Sequence, residues 1–230
     1  MGLRRPFRKM YRHYKLKSKT TQEIFTEAYE KHEKMRERGE LESVSGIGSE
    51  VCRTETIRRE IPLLFDEFNV STVLDIPCGD FNWMRNIDLS GIDYTGADIV
   101  RELIRENSDK YEKQSLRFRN LNIIKDALPK VDLVICRDCL VHFSSSDIFL
   151  ALNNICNSHS GHLLTTTFPE QRGHRDILTG SWRALNLEAA PFSFPKPLKT
   201  INEVDAEATS PSDKTLGLWE ISEIREILKY

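Results

Sequence analysis

The sequence predicts an α/β fold: a doubly wound, mostly parallel seven-stranded sheet with an antiparallel C-terminal strand pair and helices on both faces. Three observations lead there. From Ser71 onward, short apolar runs alternate with stretches of helical periodicity, the pattern of strands joined by right-handed crossovers. Near the C-terminus two strand-like runs follow each other with only a polar loop between them, so they pair antiparallel. A carboxylate also stands near the end of each of the first two runs, Asp75 and Asp98, on the side of the sheet where open α/β folds bind ligands.

Residues 1–20 form a basic arm that holds Arg4, Arg5, Arg8, Lys9, Arg12, Lys15, Lys17 and Lys19 and no acidic residue, leaving about −10 on the remaining 210 residues. Such an arm is either a solvated tail or a peripheral contact with an anionic membrane surface, where each cation contributes roughly 1 kcal/mol. No secretory pattern and no apolar run of about 20 residues is present, so a cytoplasmic protein without a transmembrane segment is expected. Residues 21–70 read as a helical cap. Ile24, Phe25, Ala28, Tyr29 and His32 fall at helical spacing over 21–38, with Thr20 or Thr21 as N-cap. Ser45-Gly46-Ile47-Gly48-Ser49 breaks the chain, and Ile57, Ile61, Leu64, Phe65 and Phe68 mark one face of a second helix.

Residues 71–230 form the main domain. Strands are expected over 72–76, 94–100, 116–121, 131–136 and 162–168, with helices over 101–111 and 146–156. An aromatic and proline-rich stretch, 180–197, precedes two further strands, 198–204 and 215–221, joined by the polar loop 205–213. With 33 basic against 35 acidic residues, nothing suggests a dedicated nucleic-acid binder. The five cysteines form no disulfide framework, and Cys136-Arg137-Asp138-Cys139 lacks the further ligands of a zinc site. Buried thiols and no metal are expected.

The informative segment runs Val73-Leu74-Asp75-Ile76-Pro77-Cys78-Gly79-Asp80-Phe81-Asn82-Trp83. It is an apolar strand, a tight turn, and then a predicted helix. Asp98 lies 19 positions after Gly79, placed to accept hydrogen bonds from ribose hydroxyls. The absence of Gly-x-Gly-x-x-Gly argues against a nicotinamide site. Leu74-Asp75-Ile76-Pro77-Cys78-Gly79 resembles the first motif of class I S-adenosylmethionine-dependent methyltransferases, written Asp-x-Gly-x-Gly-x-Gly, and the resemblance spans about residues 71–168. It implies S-adenosylmethionine as cofactor. By the resemblance, Asp75 receives the amino-acid end, Gly79 allows close approach, Asp98 binds the ribose, Ile99 packs on adenine, and Asn122 meets the adenine amino group. Pro77, Cys78, Asp80 and Trp83 complete the turn, with Arg137 beside it.

Pro77 stands in place of the first motif glycine and Phe81 in place of the third. Proline has no N–H to offer, so the cofactor carboxylate must find donors among Ser45, Ser49, Arg53 or Arg137. A crevice plugged by Phe81 and Trp83 would exclude the reading. For a hydroxyl acceptor the reaction needs a base, and Asp138 and His142, four apart after the fourth strand, share a face if a helical turn starts there. The imidazole takes the proton while Asp138 holds its tautomer, or Asp138 acts alone. The alternative is a structural histidine and an aspartate satisfied by Arg137 or a backbone amide. In the loop after the fifth strand, Trp182 and Arg183 either suit a polyhydroxylated acceptor or are ordinary lid packing, with Trp182, Phe192 and Phe194 filling core. The run 75–84 also resembles methyltransferase domains associated with surface-glycan assembly, which implies a sugar or glycan hydroxyl. Methylation of another small molecule, a protein or a nucleic acid, and an interaction protein that keeps the fold without the chemistry, stay open.

Overall fold

The computed structural model describes residues 16–203 and 213–228. Seven strands form one sheet in the order β3-β2-β1-β4-β5-β7-β6. β1 (Thr72–Asp75), β2 (Asp93–Asp98), β3 (Leu116–Asn120), β4 (Leu133–Cys136) and β5 (His162–Thr167) run parallel. β7 (Thr215–Glu220) is antiparallel to both β5 and β6 (Lys199–Asn202). The tail pair thus closes the sheet on one side, as two strands in direct succession should. Val204 and the loop residues 205–212 lie outside the described residues, as does the arm up to residue 15.

Among the described residues these helices surround the sheet: α1 (Thr21–Glu37), α2 (Glu55–Glu67), α3 (Arg101–Tyr111), α4 (Ser145–Asn157) and α5 (Ile221–Leu228). Thr20 caps α1 in a capping box with Glu23. Ser144 caps α4 by accepting from the Asp147 amide. Strand side chains alternate between faces, and the core divides accordingly. Leu74, Val134, Leu163 and Trp219 pack with α4 and α5. Val73, Leu133, Leu164 and Leu218 pack with Ile57, Ile61, Leu64 and Phe65 of α2.

One expected element is missing. Between β1 and β2 there is no α-helix, only turns and a 3-10 segment, Met84–Asn86. Phe81 takes a left-handed backbone, φ 58°, and its ring enters an aromatic cluster with Tyr94, Tyr111 and Phe118 at centroid distances of 5.3–5.4 Å. These rings occupy the space a crossover helix would cover. Gly96 keeps that space open, since a Cβ there would meet the Phe118 ring at 2.8 Å.

Among the described residues no helix is long and apolar enough to cross a membrane. The five cysteines are free, and four are buried.

Adjacent residues of α2 separate packing from composition: Leu64 is fully buried while Leu63 is 54% exposed. We expect Leu64→Ala to cost about 2–5 kcal/mol in urea denaturation and Leu63→Ala less than about 0.5 kcal/mol.

Candidate functional site

A cavity of about 610 Å³ opens at the C-terminal ends of β1, β2 and β4, within the size range of small-molecule sites. Pro77, Cys78, Gly79, Trp83, Asp98, Ile99, Asn122, Arg137, Asp138 and His142 all line it. The strand ends meet there because the backbone hydrogen bonds continue past β1: the Ile76 amide donates to Ile135 and the Cys78 amide to Ala97, each at 2.8 Å. Pro77, between them, needs no partner. Phe81 is turned into the core, so its bulk does not fill the crevice, and Trp83 lies along the wall with the Arg137 guanidinium 5.3 Å from its ring centroid.

Asp98 accepts from the Gly79 amide at 3.3 Å and the Val100 amide at 3.0 Å. Burial pushes its carboxyl up to about 6 against those amides. Asp75 lies just beneath the lining. Its Oδ2 accepts from the Tyr94 hydroxyl at 2.6 Å, while its buried Oδ1 has no partner. Burial raises this carboxyl to about 7, opposed by the Tyr94 hydrogen bond and the Arg137 charge. Asn122 accepts from the Ile124 amide at 2.9 Å through Oδ1.

Asp80 departs from its expected role. Its carboxylate accepts from the Ser43 hydroxyl at 2.9 Å, the Val44 amide at 3.0 Å and the Ser45 hydroxyl at 3.0 Å. It does not line the cavity; it straps residues 43–45 onto the Gly79 turn. Gly79, at φ +57°, has no alternative there, because a Cβ would stand 2.1 Å from Ser45 Oγ. The strap is also tied by the His32 ring to the Val44 carbonyl at 2.9 Å and by Asn82 to Glu42 at 2.6 Å. Arg137 donates to the Gly48 carbonyl at 2.7 Å.

Arg137 is buried and bound chiefly to Glu203, with Nε donating to both carboxylate oxygens at 3.1–3.2 Å. Lys214 bridges Glu203 at 3.2 Å and Asp138 at 2.6 Å. This cluster was not legible in the sequence, since Glu203 lies 66 positions from Arg137 and carries no motif. Burial opposes ionisation of Asp138, yet Arg137 and Lys214 hold its carboxyl below the usual carboxylate range.

The expected pairing of Asp138 with His142 is not made. Asp138 adopts φ 53°, so the 3-10 turn carrying His142 begins only at Leu140, and the two side chains do not stack on one helical face. His142 Nδ1 is 2.8 Å from the Ser181 carbonyl. That carbonyl can only accept, so Nδ1 carries the proton and Nε2 keeps its lone pair. Burial lowers the imidazole below its ordinary value, with the Ser181 hydrogen bond and Asp138 opposing.

Trp182 and Arg183 do not line the cavity. Trp182 is 58% exposed and packs edge-on to Phe168, whereas Phe192 and Phe194 fill core. Arg183 is buried and donates to the Phe143 carbonyl at 2.7 Å, fastening the loop to the His142 turn. The outer wall comes instead from the N-terminal segment: Leu16, Ile24, Phe25, Ala28, Tyr29, His32, Ser45 and Ser49. The apolar stripe of α1 was readable; its docking partner was not.

The raised carboxyls imply a pH signature. Asp75 titrates near 3.9 unfolded and about 7 folded, so its neutral form stabilises the fold at low pH, and that contribution is lost as pH rises through the folded value. Thermal melts without ligand should therefore show Asp75→Asn gaining stability relative to wild type between about pH 4 and pH 7; a constant difference would contradict the assignment.

Comparison with known proteins agrees with this architecture. No curated protein sequence matches the chain. Among solved structures, an S-adenosylmethionine-dependent methyltransferase from Clostridium acetobutylicum superposes with a TM-score of 0.53 at 15% identity, covering 71% of this chain and 90% of that one. The 1,6-didemethyltoxoflavin N1-methyltransferase of Burkholderia thailandensis gives 0.53 at 15% identity, covering 72% and 77%. Human N-acetylserotonin methyltransferase gives 0.44 at 19% identity, and the alignment covers 53% of this chain and only 37% of that chain. The profile of the methyltransferase domain family matches residues 52–203. Spanning β1 to β6 and every strand end that opens on the cavity, that match establishes that the chain belongs to the methyltransferase domain family.

Proposed function

We propose that the chain is an S-adenosylmethionine-dependent methyltransferase acting on a hydroxyl of a small molecule. The observation that carries the reading is the cavity at the strand ends, where Asp98 faces the opening and the unpartnered Oδ1 of Asp75 lies beneath it. A buried carboxylate oxygen without a donor is costly, and the ammonium of a bound amino acid would satisfy it. The residues fit the cofactor. Asp98 would hold the ribose through its remaining lone pairs, Ile99 and Asn122 would flank the adenine, and the Ser45 and Ser49 hydroxyls would meet the carboxylate that Pro77 cannot serve. Bound there, S-adenosylmethionine supplies an electrophilic methyl group on a sulfonium.

The chain's own task is alignment and proton removal. His142, neutral at physiological pH with Nε2 unpaired, is suited to accept the acceptor's proton. Asp138, held ionised by Lys214 and Arg137, contributes negative potential near the imidazole and is a weak base. A sugar or glycan hydroxyl drew its support from Trp182 and Arg183, neither of which lines the cavity, and from the resemblance of the run 75–84, so the broader small-molecule acceptor is the reading kept. Nucleic acid is disfavoured by the acidic body. An inert relative is disfavoured because Phe81, the residue expected to plug the crevice, packs elsewhere.

Calorimetric titration with S-adenosylmethionine is the direct test: Asp98→Ala should weaken binding by at least about 10-fold, the loss of hydrogen bonds to a charged group. Absence of binding by wild type would remove the proposal. In turnover assays His142→Ala should lower kcat by roughly 10²–10⁴-fold with cofactor affinity retained. Asp138→Asn should cost less than the roughly 10²-fold of losing a general base. The wild-type rate should rise with pH through an imidazole value below about 6.5 and then level off.

A further inference from the structure

We propose that the acceptor is a planar aromatic small molecule presenting a phenolic hydroxyl, enclosed between α1 and the turn that carries His142. This rests on the methyltransferase reading and names the acceptor within it. With the nucleoside assigned to Gly79, Asp98, Ile99 and Asn122, the remaining lining holds an apolar set, Leu16, Ile24, Phe25, Cys139, Phe143 and Gly180, beside the polar Lys19, Thr21, Glu27 and Lys31. The Phe25 and Phe143 rings lie 5.8 Å apart between centroids. Gly180, at φ +89°, lets α1 settle so closely that a Cβ there would stand 2.5 Å from Ile24 and 3.0 Å from Leu16. The same glycine donates its amide to the His142 carbonyl at 2.9 Å, so roof and base are joined.

Asp138 is ion-paired with Lys214 and Lys19 with Glu27, so these charges are matched within the protein, while His142 Nε2 is left to meet an acceptor. A flat ring with one hydroxyl matches the aromatic pair and the single base. The chemistry agrees. A weakly basic imidazole takes a proton from a phenol near pKa 10 far more readily than from an alcohol, whose acidity lies close to that of water. The phenolic proton passes to Nε2 and an oxygen electron pair forms the bond to the methyl carbon. The carbon–sulfur bonding pair stays on sulfur. The products are an aryl methyl ether, S-adenosylhomocysteine and an imidazolium that returns its proton to solvent.

The test is binding to the full chain saturated with S-adenosylhomocysteine, titrated in a calorimeter with 2-naphthol and, separately, with methyl glucoside. We expect 2-naphthol to bind at least about 10-fold tighter, Phe25→Ala to weaken it by about 10-fold, and S-adenosylhomocysteine affinity to stay within about 2-fold. Phe25→Leu, which keeps apolar bulk and loses the ring, should weaken 2-naphthol while preserving the melting temperature. Glucoside binding as tight as naphthol, or naphthol binding indifferent to both substitutions, overturns the inference. Failure of S-adenosylhomocysteine itself to bind, read before any acceptor is added, overturns the methyltransferase reading instead.

Discussion

The arrangement of the crevice depends on one carboxylate. Asp80 gathers donors from Ser43, Val44 and Ser45 and so fixes the N-terminal strap against the turn that ends β1. Because a backbone amide and two hydroxyls converge on one anion, the contact is directional as well as strong. From it follow the bareness of Gly79, the position of His32 against Val44, and the delivery of the Gly48 carbonyl to Arg137. The segment outside the alternating strands and helices therefore belongs to the site as much as the strand ends do.

Charge is distributed around the crevice in two regimes. On one side Asp75 and Asp98 are poorly compensated, and burial raises both. On the other, Arg137, Glu203, Lys214 and Asp138 compensate one another through ion pairs. Such separation leaves unsatisfied acidity on one wall of the crevice and fixed charge beside His142 on the other. His142 lies at the boundary, desolvated enough to stay neutral and tethered through Nδ1.

Most of the fold was legible because strands and helices write their periodicity locally. β3, β4, β5 and β7, together with α1, α3 and α4, fall within one or two residues of the spans read from the sequence. Asp98 and Gly79 were legible because a turn and a carboxylate at fixed spacing define a geometry. What was not legible is non-local. Nothing in the letters near Arg137 announces Glu203, and the stripe on α1 says that it is buried without saying against what. The expected helix after β1 failed for a related reason: Phe81, Tyr94, Tyr111 and Phe118 form their own cluster, a tertiary alternative that no local window contains. Trp182 lies off the cavity, and an aromatic in a loop carries no mark of whether it faces a cavity or solvent.

Phe81 has a consequence for how relatives of this chain are recognised. Its φ of 58° nearly repeats the 57° of Gly79, so the third motif position takes the left-handed torsion that glycine adopts freely and adds an anchor in the interior. The short three-glycine motif passes over such a chain, whereas one that allows an aromatic anchor at the third place would include it.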